Sequence, residues 1–186
     1  MKKILAILGA VSLTASVSTT LVACNNNKSD PAVQAAVDKL NSAALDLMYV
    51  NESESVQFIN TKTNKKYSMI EATNYAVNAA NTSSSNAIEG ISILGNKNSQ
   101  EDSPYFSLDK NDIFSKNDFE TKDDFAEIRD QVGKTIHDPT TNLNYIFKTI
   151  QYTSSSFTIK DKTEQNVTFY WAGYYIYAEI VKSKKA

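Results

Sequence analysis

Cysteine, histidine, arginine and tryptophan occur once each in the 186 residues, as Cys24, His137, Arg129 and Trp171. One cysteine excludes an intramolecular disulfide. One histidine excludes a zinc site built on several imidazoles. The five glycines form no phosphate-cradling loop and no Gly-x-Ser-x-Gly elbow. A Ser-His-Asp enzyme would have to use His137. Its adjacent acid, Asp138, is a chain neighbour and does not orient the imidazole from there. A histidine at a helix end beside the Pro139 turn is the plainer reading. Paired carboxylates stay open, because acids far apart in sequence can converge in a fold. No catalytic residue, metal site or cofactor is assigned from the sequence. Excess charge of either sign is also missing, since 19 basic and 21 acidic residues give a net charge of −2. Such a balance exerts no general pull on nucleic acid, and no nucleic-acid partner is expected.

What is present begins at the N-terminus. Met1-Lys2-Lys3 carries the positive charge of a secretory leader, and Ile4 to Val17 is mostly apolar. Ser18, Thr19 and Thr20 loosen the pattern before Leu21-Val22-Ala23-Cys24. The alternative of an uncleaved transmembrane helix has nearly enough length, since a span needs roughly 20 apolar residues. Six hydroxyl side chains between Ser12 and Thr20 argue instead for a processed leader.

Leu21, Val22 and Ala23 ahead of Cys24 resemble a bacterial lipobox. The leader is similar to those of mollicute surface lipoproteins, over about residues 1–27. The excess of lysine over the single Arg129, with abundant asparagine, agrees with the coding bias of an AT-rich genome. The resemblance implies a diacylglyceryl thioether on Cys24, cleavage before it, and anchoring on the outer face of the cell membrane. Two acyl chains give stable attachment where one binds reversibly. An acylated Cys24 is also lost as a nucleophile. The expected organisation is a signal peptide over 1–23, a flexible tether over 24–30 and one α+β domain over 31–186. Cleavage leaves 163 residues, Cys24 to Ala186, enough for one core without staples.

Asp30 and Pro31 suit the N-cap and first position of a helix. Apolar residues from Val33 to Met48 recur at three- and four-residue steps and predict a helix over 31–49. Weak alternation over 55–60 followed by a polar turn predicts a hairpin into Tyr67. Ser68 and Glu71 match a capping box ahead of 69–80, although this alanine-rich segment fits a strand nearly as well. Residues 87–94 predict a strand, with Gly90 allowing a bulge or a close approach. Three Lys-(Asn/Asp)-Asp-apolar units recur every six residues within 110–125. That period matches neither helix nor strand, and predicts successive short turns that each set down an apolar anchor: Ile113, Phe119, Phe125. A helix capped by Thr121-Lys122-Asp123-Asp124 should follow, with Phe125, Ile128, Val132 and Ile136 on its stripe, weakened by Gly133 and ended by Pro139. Beyond it, four strands are expected over 144–153, 157–161, 167–171 and 174–181, with turns at Ser154–Ser156 and Ala172-Gly173. The fold class expected is α+β, with an N-terminal helix and a mid-chain helix packed on an antiparallel sheet with a C-terminal β-meander.

Six aromatics crowd residues 169–177. On a strand, Phe169, Trp171, Tyr175 and Tyr177 share one face, with Tyr170 and Tyr174 on the other. Aromatics serve strands as core and cross-strand partners. The functional alternative makes Phe169, Trp171, Tyr175 and Tyr177 an exposed platform for a sugar, peptide or host surface. Asp109, Asn111 and Glu120 occupy three positions of a calcium loop, but Ile113 and Phe114 stand where a ligand and a glycine are needed. The expected function is that of a non-enzymatic surface lipoprotein acting in adhesion, envelope structure or recognition. Its partners would be the membrane, through Cys24, and a host or envelope macromolecule. The alternatives are a small-ligand-binding module associated with transport, or a lipid-tethered hydrolase.

Overall fold

A computed structural model describes residues 30–52, 55–83, 87–98 and 105–182. The signal segment, the lipobox residues Leu21, Val22 and Ala23, the attachment residue Cys24 and the tether to residue 29 lie outside the described residues. The fold is mixed α+β, with helices and two antiparallel sheets.

Helix α1, Pro31–Ala44, starts where its cap chemistry places it. Asp30 Oδ1 accepts from the Ala32 amide at 2.8 Å, and Pro31 has no amide to satisfy. Val33, Ala36, Val37, Leu40, Ala43 and Ala44 are buried. The helix stops short of residue 49, because Leu47–Glu52 forms strand β1. There Tyr49 lies directly opposite Phe58, with ring centroids 5.8 Å apart. Cross-strand pairing of that kind outweighs the helical spacing. Strands β2, Ser55–Asn60, and β3, Lys66–Ser68, complete a three-stranded sheet. Helix α2, Met69–Ala80, carries both halves of the expected capping box. Its buried side chains, Ala72, Thr73, Ala76 and Ala80, are small and let it lie against α1.

The larger sheet contains β4, Thr82–Ser83, β5, Ala87–Ile93, β6, Thr135–Asp138, β7, Leu143–Lys160, and β8, Asn166–Ile180. Their order is β4-β5-β8-β7-β6, so the last of the described strands is the central one. The four strands expected after residue 144 are therefore two. Ser154, Ser155 and Ser156 sit in unbroken register opposite Ala172, Trp171 and Tyr170. Gly173 makes no turn but permits a close approach, since a Cβ there would lie 2.6 Å from the Ser92 carbonyl oxygen of β5. Gly90 does the same for the side chain of Asn81, whose Oδ1 accepts from the Ile91 amide at 2.9 Å.

Because β8 is continuous, its side chains alternate without a break. Phe169, Trp171 and Tyr175 join the core under α1, α2 and the smaller sheet. Ala172, Tyr174, Ile176 and Ala178 face the opposite way, toward residues 105–130. That segment consists of a 3-10 turn at Lys110–Asp112, helix α3 at Lys116–Thr121, a second 3-10 turn at Asp123–Phe125 and helix α4 at Ala126–Arg129. The anchors Ile113, Phe119 and Phe125 are buried, one after each unit or within it. Phe119 lies almost parallel to Tyr174 at 6.1 Å. Arg129 donates to the carbonyls of Phe119 and Lys122 and so closes the C-terminal end of α3. The helix expected to reach residue 136 ends at Arg129, and Ile136 belongs to β6. Gly133, at φ +81°, turns the chain and bonds to the Phe147 carbonyl, which starts the pairing of β6 with β7.

One side chain ties the helix layer to the sheet. Asn41 of α1 accepts from Trp171 Nε1 at 2.8 Å and donates to Ser155 Oγ at 2.9 Å. Trp171 is fully buried. Replacing Asn41 by Leu leaves the indole N–H without an acceptor, which costs about 1–3 kcal/mol. Urea unfolding of N41L should show that loss, and S155A should lose less.

Four carboxylates lie below their ordinary range. The Ser115 amide and hydroxyl, then Lys122, hold Asp118 down. The Thr141 hydroxyl and Thr140 amide do so for Asp138, Thr163 for Asp161, and the Ser68 amide and hydroxyl for Glu71. A depressed carboxylate contributes stability that is complete above the unfolded value, near 4, and fades as pH falls through the folded value. The urea midpoint should therefore drop between about pH 5 and pH 2, with a shallower drop in D118N.

Candidate functional site

Strand β5 leaves β8 at Ile93, opposite Gly173. The backbone of β8 beyond that point needs another partner, and residue 107 supplies it. The Ser107 amide donates to the Tyr170 carbonyl at 2.9 Å, and the Tyr170 amide donates to the Ser107 carbonyl at 2.8 Å. This bridge sets Phe106 edge-on to Phe157, with centroids 5.0 Å apart. Phe157 stacks on Phe169 at 5.7 Å, and Phe169 meets Tyr49 at 5.2 Å and Phe58 at 5.6 Å. Five rings thus make one wall, carried by β1, β2, β7, β8 and the 105–112 loop. Offset and edge contacts of this kind fix ring positions as well as adding packing energy.

A cleft of about 350 Å³ opens along this wall. Tyr49, Phe106 and Phe169 are its buried side, with Met69 at the start of α2. Val56 and Leu108 line it while remaining 38% and 54% exposed. Asn96, Ser107, Asp109 and Asp112 supply its polar side. Those groups are held by each other. Ser107 Oγ accepts from the Asp109 amide at 3.1 Å and donates to Asp112 Oδ2 at 3.2 Å. Asp112 Oδ1 accepts from Asn98 Nδ2 at 2.9 Å. Asp109 Oδ1 accepts from the Asn111 amide at 2.8 Å, which makes Asp109 a turn cap. An apolar or aromatic body can lie on the ring wall, with an amine or hydroxyl directed at Asp109 and Asp112. A small number of convergent polar groups on an apolar wall is the usual make-up of a binding site.

Of the four aromatics singled out in the sequence, only Phe169 lines this cleft. Trp171 and Tyr175 lie in the core beneath the helices. Burial, with the Glu89 carboxylate second, pushes the Tyr175 hydroxyl well above the ordinary phenol range. Tyr177 is half-buried and donates to Glu179 at 3.1 Å. The exposed platform of Phe169, Trp171, Tyr175 and Tyr177 is therefore corrected. Their shared face is real, but α1, α2 and the smaller sheet cover it. Tyr49, Phe106, Leu108 and Asp112 escaped the sequence reading. Phe106-Ser107-Leu108, an isolated apolar step between polar runs, was the one available signal.

The remaining candidates separate. His137 is exposed on β6, its Nδ1 3.0 Å from Asn144 Oδ1. Asp138 is buried on the other side of that strand, taken up by the Thr140 amide and the Thr141 hydroxyl at 2.8 and 2.7 Å. The pair thus gives no His-Asp couple. Glu120 lies on α3 beside Lys116 at 3.5 Å, while Asp109 caps its own turn. Among the described residues, no three His, Cys, Asp or Glu side chains are grouped to hold a metal ion.

Burial of the single tryptophan gives a direct check. Trp171 emission should be blue-shifted, and acrylamide should quench it several-fold less than free indole. Quenching at the rate of free indole would place the ring on the surface and undo the described packing. Comparison of the chain with protein-family models, with curated proteins and with solved structures finds no match.

Proposed function

We propose that this protein is a surface lipoprotein whose folded body recognises a ligand without transforming it. The cleft carries the reading: a preformed ring wall beside two fixed carboxylates. The signal peptide over 1–23 and the lipobox Leu21-Val22-Ala23 deliver the chain to the outer face of the cell membrane. A diacylglyceryl group on Cys24 holds it there. Residues 24–30 form a tether whose extended reach of about 20 Å keeps the body near the bilayer. In this reading the scaffold is an N-terminal helix and a mid-chain helix packed on an antiparallel sheet with a C-terminal β-meander. In support, α1 and α2 bury their apolar stripes together with the inner face of β7 and β8. The partner is a host or envelope macromolecule that presents an apolar group beside a cationic or hydroxylated one.

The cleft volume favours a second reading, a small-ligand-binding module associated with transport. At about 350 Å³ the cleft falls at the lower end of the ~300–1,000 Å³ of small-molecule sites. The third reading, a lipid-tethered hydrolase, gains no support from the placement of His137 and Asp138.

Two measurements test the proposal. In the native host, C24A should lose the diacylglyceryl mass and leave the membrane fraction; unchanged membrane retention would sink the anchor. For recognition, detergent-solubilised wild type is screened by thermal shift against oligosaccharides, basic peptides and aromatic amines. Binding raises the midpoint with the logarithm of ligand concentration. L108S and D109N should abolish the shift while leaving the ligand-free midpoint within about 2 °C, as expected for exposed positions. A shift that survives both substitutions would remove the cleft from the function.

A further inference from the structure

We propose that the outer edge of β7, between Lys148 and Lys160, receives an extended peptide segment from a partner protein. This surface is separate from the cleft and does not depend on it. β7 has 18 residues, but β6 pairs only with Leu143–Ile146, and the Phe147 backbone adds two hydrogen bonds, accepting from the Gly133 amide and donating to the Lys134 carbonyl. At the other end, Tyr49 of β1 bridges to Asp161. Between these two, no strand among the described residues lies on the outer side of β7.

The direction of the backbone groups follows from the register. The Asp161 amide donates to the Gln165 carbonyl at 2.9 Å, and pairing with β8 is unbroken from Thr149 to Lys160. Hydrogen-bonded pairs alternate in an antiparallel ladder. From Thr149 to Ile159, beyond the bulge that follows Phe147, odd-numbered residues of β7 therefore bond to β8, and even-numbered ones turn their amides and carbonyls outward. The opposite edge of β8 agrees, since its even-numbered Tyr170 and Ala172 bond to Ser107 and Leu94. Thr149–Ile159 is also eleven residues without a charge, a proline or a glycine. Charge and proline are devices that protect an edge, and without them such an edge is a template for strand addition.

The shape of the gap selects the occupant. It holds about twelve residues, roughly 40 Å at the rise of a strand. A second copy of the chain does not fit it. β7 of a copy brings its own β6 and β1 along the same edge, and in antiparallel pairing these meet the β6 and β1 already present. With Ser154 on a two-fold axis, Lys148 would also stand opposite Lys160. A lone extended segment meets neither obstacle. Lys148 stands at one mouth and Lys160 and Lys162 at the other, so the segment that fits carries carboxylates at both ends and uncharged, β-branched residues between. The present ion pairs of Lys148 with Glu179 and Lys160 with Glu164 are solvent-exposed, and such pairs exchange partners at little cost.

The test uses the full chain in detergent, amide hydrogen exchange, and a fluorescent peptide of four Thr-Val repeats with two Asp at each end. In the free protein the Ser154, Ser156 and Thr158 amides should exchange at least tenfold faster than those of Ser155 and Phe157. Peptide should then bind saturably and slow the even-numbered amides at least tenfold. S154P should abolish binding while keeping the cooperative thermal transition, because proline there removes only an outward amide. If S154P does not fold, an N-methylated peptide replaces it as the control and should not bind. Even-numbered amides already protected in the free chain would overturn the proposal, and protection that grows with protein concentration would assign the edge to a second copy. Peptide that fails to bind, or binds without protecting those amides, would overturn it as well.

Discussion

A buried indole must give its N–H to something. Trp171 sits at the centre of the larger sheet with no access to water, so its acceptor has to come from within the fold. It comes from Asn41, on a helix 130 positions earlier. An amide has one oxygen and one NH₂, and both ends of this one are used, the second on Ser155. Meeting the two bonds together leaves α1 one rotation and one height above β7 and β8. The apolar stripe of α1 then faces the sheet, and its small residues leave room for α2. A leucine at position 41 would suit the stripe equally well and would specify none of this.

The second constraint is the unbroken alternation of β8. Its odd-numbered residues make one core and its even-numbered residues the other, so a single strand supports three layers. β5 covers only the C-terminal part of β8. The loop around Ser107 repairs the exposed ladder, and in doing so brings Phe106 and the Asp109–Asp112 turn beside the aromatic wall. The cleft is thus a by-product of where β5 stops. Its carboxylates belong to the same hydrogen-bonded turn that restores the sheet, which explains why they are held in place without a ligand.

Local chemistry was legible in the sequence wherever neighbours along the chain determine it. Asp30-Pro31 marks the start of α1, Ser68 and Glu71 form their capping box, and the six-residue repeat sets down Ile113, Phe119 and Phe125 as buried anchors. The even and odd faces of 169–177 were also readable from parity alone. The sequence pattern misleads where a distant partner decides. Leu47 and Met48 continue the helical spacing of α1, yet β2 draws them into a strand. Ser154–Ser156 and Ala172-Gly173 look like turns until β7 is laid against β8, where Ser154, Ser155 and Ser156 pair with Ala172, Trp171 and Tyr170, and Thr153 pairs with Gly173. Burial of Trp171 depends on Asn41, and membership of the cleft depends on a pairing between residues 107 and 170. No window along the chain contains either.

The position of β8 has a temporal consequence. Among the described elements, the strand at the middle of the larger sheet is synthesised last, and the helix that docks on it is synthesised first. The β7–β8 ladder can zip from the Asp161–Gln165 turn, a loop of a few residues with a small closure cost. The helix layer, however, must wait unpaired until the indole exists to receive it. A growing chain of this design holds no finished core until β8 has emerged. Its order of synthesis and its order of docking run in opposite directions, which leaves the helix layer open until β8 arrives.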